Sequence, residues 1–267
     1  MFEKAGLLRE NKLASATLTA DSEAAGYPVT DILNARHDLP WRSTAGTGII
    51  KADFGSSVAL DTFLIRVPSE RDPNVTPNVP VSSSATVIIR ASDTEGGNDL
   101  LNESFAAGHH ERLGYIGRIL LTSGALNTVT ARYWEIEIQG GGTFVEVETV
   151  FAGMIWFPGF NYNKGNLFGI DEQAEKARSS FSGGTFAEAR SRLVEFTGAW
   201  SIWSVSELDD WEEFFLAVGT TKPFALFRKT DGDLSKRATI VTIEGKPVTS
   251  DDDGAHFLTR INFKENR

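Results

Sequence analysis

The chain has 267 residues, 41% of them hydrophobic, which is enough to fill real cores and suggests one large or two ordinary domains. A formal net charge of -10 argues against a phosphate-binding face, because nucleic-acid affinity rests largely on Lys and Arg displacing counterions. Cysteine is absent, so disulfides, thiolate metal sites and cysteine nucleophiles are excluded together.

The opening "MFEKAGLLRENKLASATL" lacks an apolar signal core, and no stretch approaches the ~20 apolar residues of a membrane span. The expectation is a chain made soluble in the cytoplasm, with no membrane insertion. From Ala16 to Gly153 the signals are short strands: Ile49 to Phe54, Asp61 to Val67, Ser84 to Ala91, Gly117 to Ser123, Arg132 to Gln139 and Phe144 to Ala152. Each is rich in β-branched or aromatic residues and bounded by turn formers. In "RYWEIEIQ", Trp134, Ile136 and Ile138 share a core face, leaving Tyr133, Glu135 and Glu137 to water. Two long loops interrupt the strands, Pro68 to Ser83 with four prolines and Asp93 to Tyr115 with paired histidines.

A second region begins at Met154. The aromatic, Gly-rich run from Met154 reads as a connector with extended pieces, and Arg190 to Trp203 as one long strand bulged at Gly198. The clearest helix follows, over 207–218. Ser206 and Asp209 stand as a capping box, Gly219 as the C-cap, and Leu208, Trp211, Phe214, Phe215 and Val218 as one apolar face. Strands at Pro223 to Lys229, Arg237 to Glu244 and His256 to Glu265 complete the region, with turns at Asp231 to Asp233 and Asp251 to Gly254. The fold class is therefore mainly β. A jelly-roll β-sandwich over 1–153 precedes an antiparallel β-rich, α+β module over 154–267 with one prominent helix.

No motif for catalysis appears. The four histidines, His37, His109, His110 and His256, lack metal-binding spacing. Adjacent His109 and His110 point apart on a regular backbone, so a surface loop is the expected setting. Asp251 to Asp253 lack the alternating oxygen pattern of a calcium loop, and no glycine pair opens a phosphate loop. No pair of carboxylates stands out for hydrolysis. The expectation is a non-enzyme with no cofactor and no metal.

"GYPVTDILNARHDLPWRS", followed by "IIKADFGSSVALDTFLIR" and later "ARYWEIEIQG", resembles the discoidin family of galactose-binding-like jelly rolls. The bracketing cysteines of that family are missing. An acidic calcium ligand of its spike loop is replaced around Ala35 and Arg36. The second half, with "RLVEFTGAWSIWS", "SELDDWEEFFLAVGTTKPFALF" and "TRINFKE", is similar to tail-tip and distal-tail proteins of tailed bacteriophages. The resemblances imply a structural component of a tail tip or baseplate. Such a virion protein assembles in the host cytoplasm as a homo-oligomeric ring, docks neighbouring tail proteins and has possible host-surface carbohydrate contact. The alternative is a carbohydrate-binding module or adhesin that recognises a cell-surface glycan.

Two readings stand for Arg36, His37, Asp38, Trp41 and Arg42. In one, Trp41 stacks on a sugar and the charges bond its hydroxyls. In the other, Trp41 plugs the sandwich and Arg42 pairs with a carboxylate, leaving Arg36 to Asp38 as a rim for a partner. The burial habit of Trp favours the second. The run containing Met154, Trp156, Phe157, Phe160 and Tyr162 is either the hinge between the modules or a subunit interface.

Overall fold

The computed structural model describes residues 4–34, 39–68, 81–109, 113–159, 167–178, 185–230, 234–251 and 257–265, with backbone alone at 141, 168–178, 185–193, 248, 250 and 251. Strands dominate, and one α-helix occurs among the described residues, as the mainly-β reading requires.

The elements stack in four layers. Outermost is a five-stranded antiparallel sheet, in the order Thr17–Ala20, Thr47–Leu60, Val129–Gly141, Val81–Ser92, Leu101–Ala106. It packs on a three-stranded sheet ordered Thr149–Gly153, Thr62–Arg66, Tyr115–Ile119. Then comes a six-stranded sheet, Gly6–Leu8, Phe224–Phe227, Ala238–Asp251, Phe257–Glu265, Thr185–Ile202, Leu167–Arg178. The helix Val205–Val218 forms the last layer.

Side-chain alternation assigns residues to the three cores between these layers. In Thr62–Arg66, Phe63 and Ile65 face the sandwich core while Leu64 faces the six-stranded sheet. In Phe224–Phe227, Ala225 and Phe227 meet Leu64 and Phe151, whereas Phe224 and Leu226 meet the helix. Strands covered on both faces read as unbroken apolar runs, which explains "FALF" and "VFA". Inside the sandwich, Trp134 has alanines, Ala52 and Ala91, as both cross-strand partners, and its ring lies 5.6 Å from that of Phe63 on the facing sheet. Small neighbours make room for the indole.

Several sequence expectations need correction. Gly6–Leu8 pairs with Ala225–Phe227, so the first strand belongs to the second sheet and not to a module spanning 1–153. Leu7 and Leu8 are fully buried, one on each side of that sheet. Glu137 is buried and Glu135 largely so, since Arg90 Nη2 lies 2.5 Å from Glu137 and Arg90 Nη1 lies 3.7 Å from Glu135. That face is a charge ladder rather than open water. The expected loop from Asp93 contains the strand Leu101–Ala106, and His109 is buried, not on a surface loop. His110 and Glu111 lie outside the described residues.

No bulge occurs at Gly198, because Glu195–Ile202 pairs in continuous register with Phe257–Lys264. The glycine answers a packing need. A Cβ there would sit 2.4 Å from Trp200 Cη2, on the ring that lies back along its own strand. The helix starts at Val205 with Ser204 as N-cap, whose hydroxyl accepts from Glu207 N–H at 3.1 Å. The cap is thus Ser204, two residues before the expected Ser206, and the Glu207 carboxylate accepts instead from the Gly159 N–H and, at 3.5 Å, the Trp203 N–H. Gly219, at φ 59°, closes the helix as expected. The connector yields the strand Leu167–Arg178, and Ala238–Asp251 runs past the expected end at Glu244 through an irregularity before Val248. The turn expected at Asp231 to Asp233 lies outside the described residues, as does the turn expected at Asp251 to Gly254 except for Asp251, which ends the strand.

Candidate functional site

One end of the sandwich is closed by the segment that leads from Asp21 to Ser43. After Pro28 a 3-10 turn, Val29–Leu33, drops Val29 and Ile32 into the core. The short strand Trp41–Arg42 then pairs with Glu146–Val147, setting Arg42 opposite Glu146. Alternation sends the two residues to opposite sides.

Trp41 points inward and is fully buried, with Nε1 donating to the Ser22 carbonyl at 3.2 Å. Its ring lies so close to Gly48 that a Cβ there would meet Cη2 at 2.6 Å. No face of this ring is open to a sugar, which removes Trp41 from the stacking role. Arg42 points outward. Its Nε and Nη2 lie 2.7 and 2.6 Å from Glu146 Oε2. Its guanidinium carbon is 4.1 Å from the Tyr27 ring centroid and 4.5 Å from that of Phe144. The Arg42 side chain is 30% exposed, that of Glu146 10%. Burial pushes the Glu146 carboxyl above its ordinary range, with the Glu148 charge adding to the rise and Arg42 opposing it. Among the described residues Nη1 meets no partner, while the other edge of the fork is committed to Glu146. Arg36, His37 and Asp38, the rim of this end, lie outside the described residues.

Two residues along from Glu146, Glu148 takes part in a second cluster between the three- and six-stranded sheets. Arg66 Nε lies 2.8 Å from Glu148 Oε2, and Nη1 lies 3.9 Å from Glu265 Oε1. The Tyr115 hydroxyl donates to Glu265 Oε1 at 2.9 Å, and the Val194 N–H donates to Oε2 at 2.8 Å. Arg66 is 3% exposed and Tyr115 not at all. Burial pushes the Tyr115 hydroxyl up to about 12, against the pull of Arg66. The cluster is enclosed, with the Arg66, Glu148 and Glu265 side chains 3%, 7% and 0% exposed. It is a polar lock between the layers, not a site with access.

The hinge holds the same layers by other bonds. Asp61 accepts from the Thr62 hydroxyl at 2.8 Å and the Ile155 N–H at 2.9 Å, and burial pushes its carboxyl up. Trp156 exchanges both backbone hydrogen bonds with Leu7, and its ring lies 5.0 Å from Trp211 and 5.9 Å from Phe214. Phe157 packs on the core between the two sheets, while Met154 is half exposed. Trp156 and Phe157 therefore sit where the layers join. Phe160 and Tyr162 lie outside the described residues.

Sequence reasoning missed Tyr27, Phe144 and Glu146 around Arg42. Glu146 is 104 residues away in sequence, and no local pattern ties it to Arg42. A shallow cleft of about 170 Å³ also opens on the outer sheet, lined by Thr17, Thr19, Lys51, Asp53, Tyr133 and Glu135 among others. Beside it Arg132 bonds both oxygens of Asp53 at 2.8 and 3.0 Å.

No family model and no curated relative matches the chain. Solved structures similar to part of it include carbohydrate-binding modules. Chitosan-binding module 1 of a chitosanase/glucanase from Paenibacillus sp. IK-5 is 17% identical, with 54% of this chain and 99% of that one covered at a TM-score of 0.40. The family 32 carbohydrate-binding module of Clostridium perfringens NanJ, in complex with galactose, is 12% identical, with 55% and 98% covered at 0.40. The module CpGH89CBM32-5 of Clostridium perfringens, in complex with GalNAc-β-1,3-galactose, is 12% identical, with 55% and 99% covered at 0.41. The likeness extends over about half of this chain, and the resemblance to tail proteins rests on sequence motifs alone.

Proposed function

We propose that this chain is a non-catalytic glycan-binding protein whose ligand is held at the sandwich end around Arg42. The observation that carries the reading is the half-open guanidinium, fixed by Glu146 and flanked by Tyr27 and Phe144. Sugar recognition asks for aromatic surface for C–H faces and for rigid forks that bond hydroxyl or carboxylate oxygens. A pre-fixed guanidinium loses little further freedom on binding. Galactose and GalNAc-β-1,3-galactose are the first ligands to try. In the test, glycan binding is measured on an array and by titration for wild type, Arg42→Gln and Tyr27→Ala. Both variants should melt near the wild-type temperature and lose about tenfold or more in affinity. Unchanged affinity in both, or no glycan retained by the intact protein, would refute the assignment.

A second reading, assembly into a tail structure as a homo-oligomer, is compatible with the first if the sandwich decorates a tail. It is favoured by the open edge of the six-stranded sheet, since Leu167–Arg178 pairs on one side only among the described residues. Unpaired edges invite another chain. Mass photometry should then show rings or binding to other tail proteins, and a strict monomer that binds none of them would contradict it.

A further inference from the structure

A cleft of about 410 Å³ lies where the hinge meets the start of the helix. Trp156, Phe157 and Trp203 form its apolar walls, and Ser204, Ser206, Glu207 and Asp210 its polar rim. Glu207 is already committed, since it accepts the Gly159 N–H at 2.8 Å and stands in the helix cap. Lys4 is committed as well, because its Nζ donates to the Gly159 carbonyl at 2.6 Å. Asp210, exposed on the helix, leaves the rim with a carboxylate turned to solvent.

The surface continues beyond the cleft. Trp203 is 53% exposed, Val205 67% and Leu216 87%, three large apolar side chains on one helix and its approach. Val205 and Leu216 are eleven residues apart, about three turns, and so share a face. The helix sequence "VSELDDWEEFFLAV" contains five carboxylates and no base, and Asp209, Asp210, Glu212 and Glu213 are exposed. Among the described ion pairs, Arg9 alone reaches the helix, 3.3 Å from Glu213.

The geometry points to a docking site for a protein segment that presents a Lys or Arg beside an apolar side chain. The cationic group enters the aromatic-walled cleft at Trp203 and Asp210, and apolar residues next to it and further along the segment cover Val205 and Leu216, which lie about 16 Å apart along the helix. A cation is held by an indole face and a nearby carboxylate together, more strongly as the partner excludes water. Exposed apolar side chains interspersed with acids select a basic, apolar partner by complementarity and reject an acidic one by repulsion. A second copy of this chain fits poorly, since it brings a net charge of -10 to an acidic face. A neutral glycan gains less here, because it carries no positive charge to meet the carboxylates of the rim.

The test uses the full chain and three amidated ten-residue peptides, alternating leucine with lysine, glutamine or glutamate, titrated by calorimetry. The lysine peptide should bind, and the glutamine and glutamate peptides at least about tenfold more weakly. Trp203→Ala and Asp210→Asn should each weaken the lysine peptide by about fivefold. Glu95→Gln, an exposed carboxylate on the sandwich, should leave it unchanged. Equal binding of the lysine and glutamine peptides, unchanged affinity in both cleft variants, or equal weakening by Glu95→Gln would overturn the proposal.

Discussion

Arg42 and Arg66 are clamped by the same chemistry two residues apart, to Glu146 and to Glu148, yet one side chain is 30% exposed and the other 3%. At Arg42 the strand pair Trp41–Arg42 with Glu146–Val147 lies at the open end of the sandwich, so the outward residue meets water. At Arg66 a further sheet covers the same side, and Glu265 and Tyr115 close over the guanidinium. The layer above decides the role. A covered pair becomes a lock whose partners must all be present, and an uncovered one retains bonding capacity for a ligand.

The contrast can be broken most sharply at the lock. Arg66→Ala leaves Glu148 and Glu265 buried without their cation and should cost ~3–5 kcal/mol in chemical denaturation. Trp41→Ala, by emptying a core site, falls in the same range of ~3–5 kcal/mol. Next comes Gly198→Ala, whose added methyl drives against Trp200 and should cost ~1–3 kcal/mol by the same measurement. Tyr115→Phe removes a buried hydroxyl bonded to Glu265 and should cost ~1–3 kcal/mol.

Tyr115 also sharpens the comparison through pH. Its hydroxyl is raised from 10.0 to about 12 in the fold, so the stabilisation is complete below pH 10 and is lost as pH climbs toward 12. Wild type should therefore show a falling melting temperature over that window, and Tyr115→Phe a flatter one. The smallest stability effect is expected at the open pair. Arg42→Ala should cost ~1 kcal/mol, because water reaches the site of the half-open guanidinium but Glu146, 10% exposed, loses its cation, while glycan affinity falls.

The layered plan was only partly legible in the sequence. Alternation at Trp134, Ile136 and Ile138 marked a strand with one core face, and the helix was marked by its apolar spacing and Gly219. Periodicity reports which residues are buried but not what buries them. No local pattern marked Leu7 and Leu8 as a strand, because their partners, Leu226 and Ala225, lie more than two hundred positions away. Gly198 read as a bulge because the cause is the ring of Trp200, two residues on, and spacing cannot show where that ring lies. At the candidate site Arg42 was legible from its place beside Trp41, whereas Tyr27, Phe144 and Glu146 carry no pattern of their own. Long-range strand pairing alone brings them together.

The most direct test of the central claim is amide chemical-shift mapping of the isotope-labelled chain during titration with a galactose-containing disaccharide. The account predicts shifts confined to Tyr27, Arg42, Phe144, Glu146 and their neighbours, with Arg66 and Tyr115 silent. Shifts that gather elsewhere on the surface, or none across a panel of glycans, would contradict it.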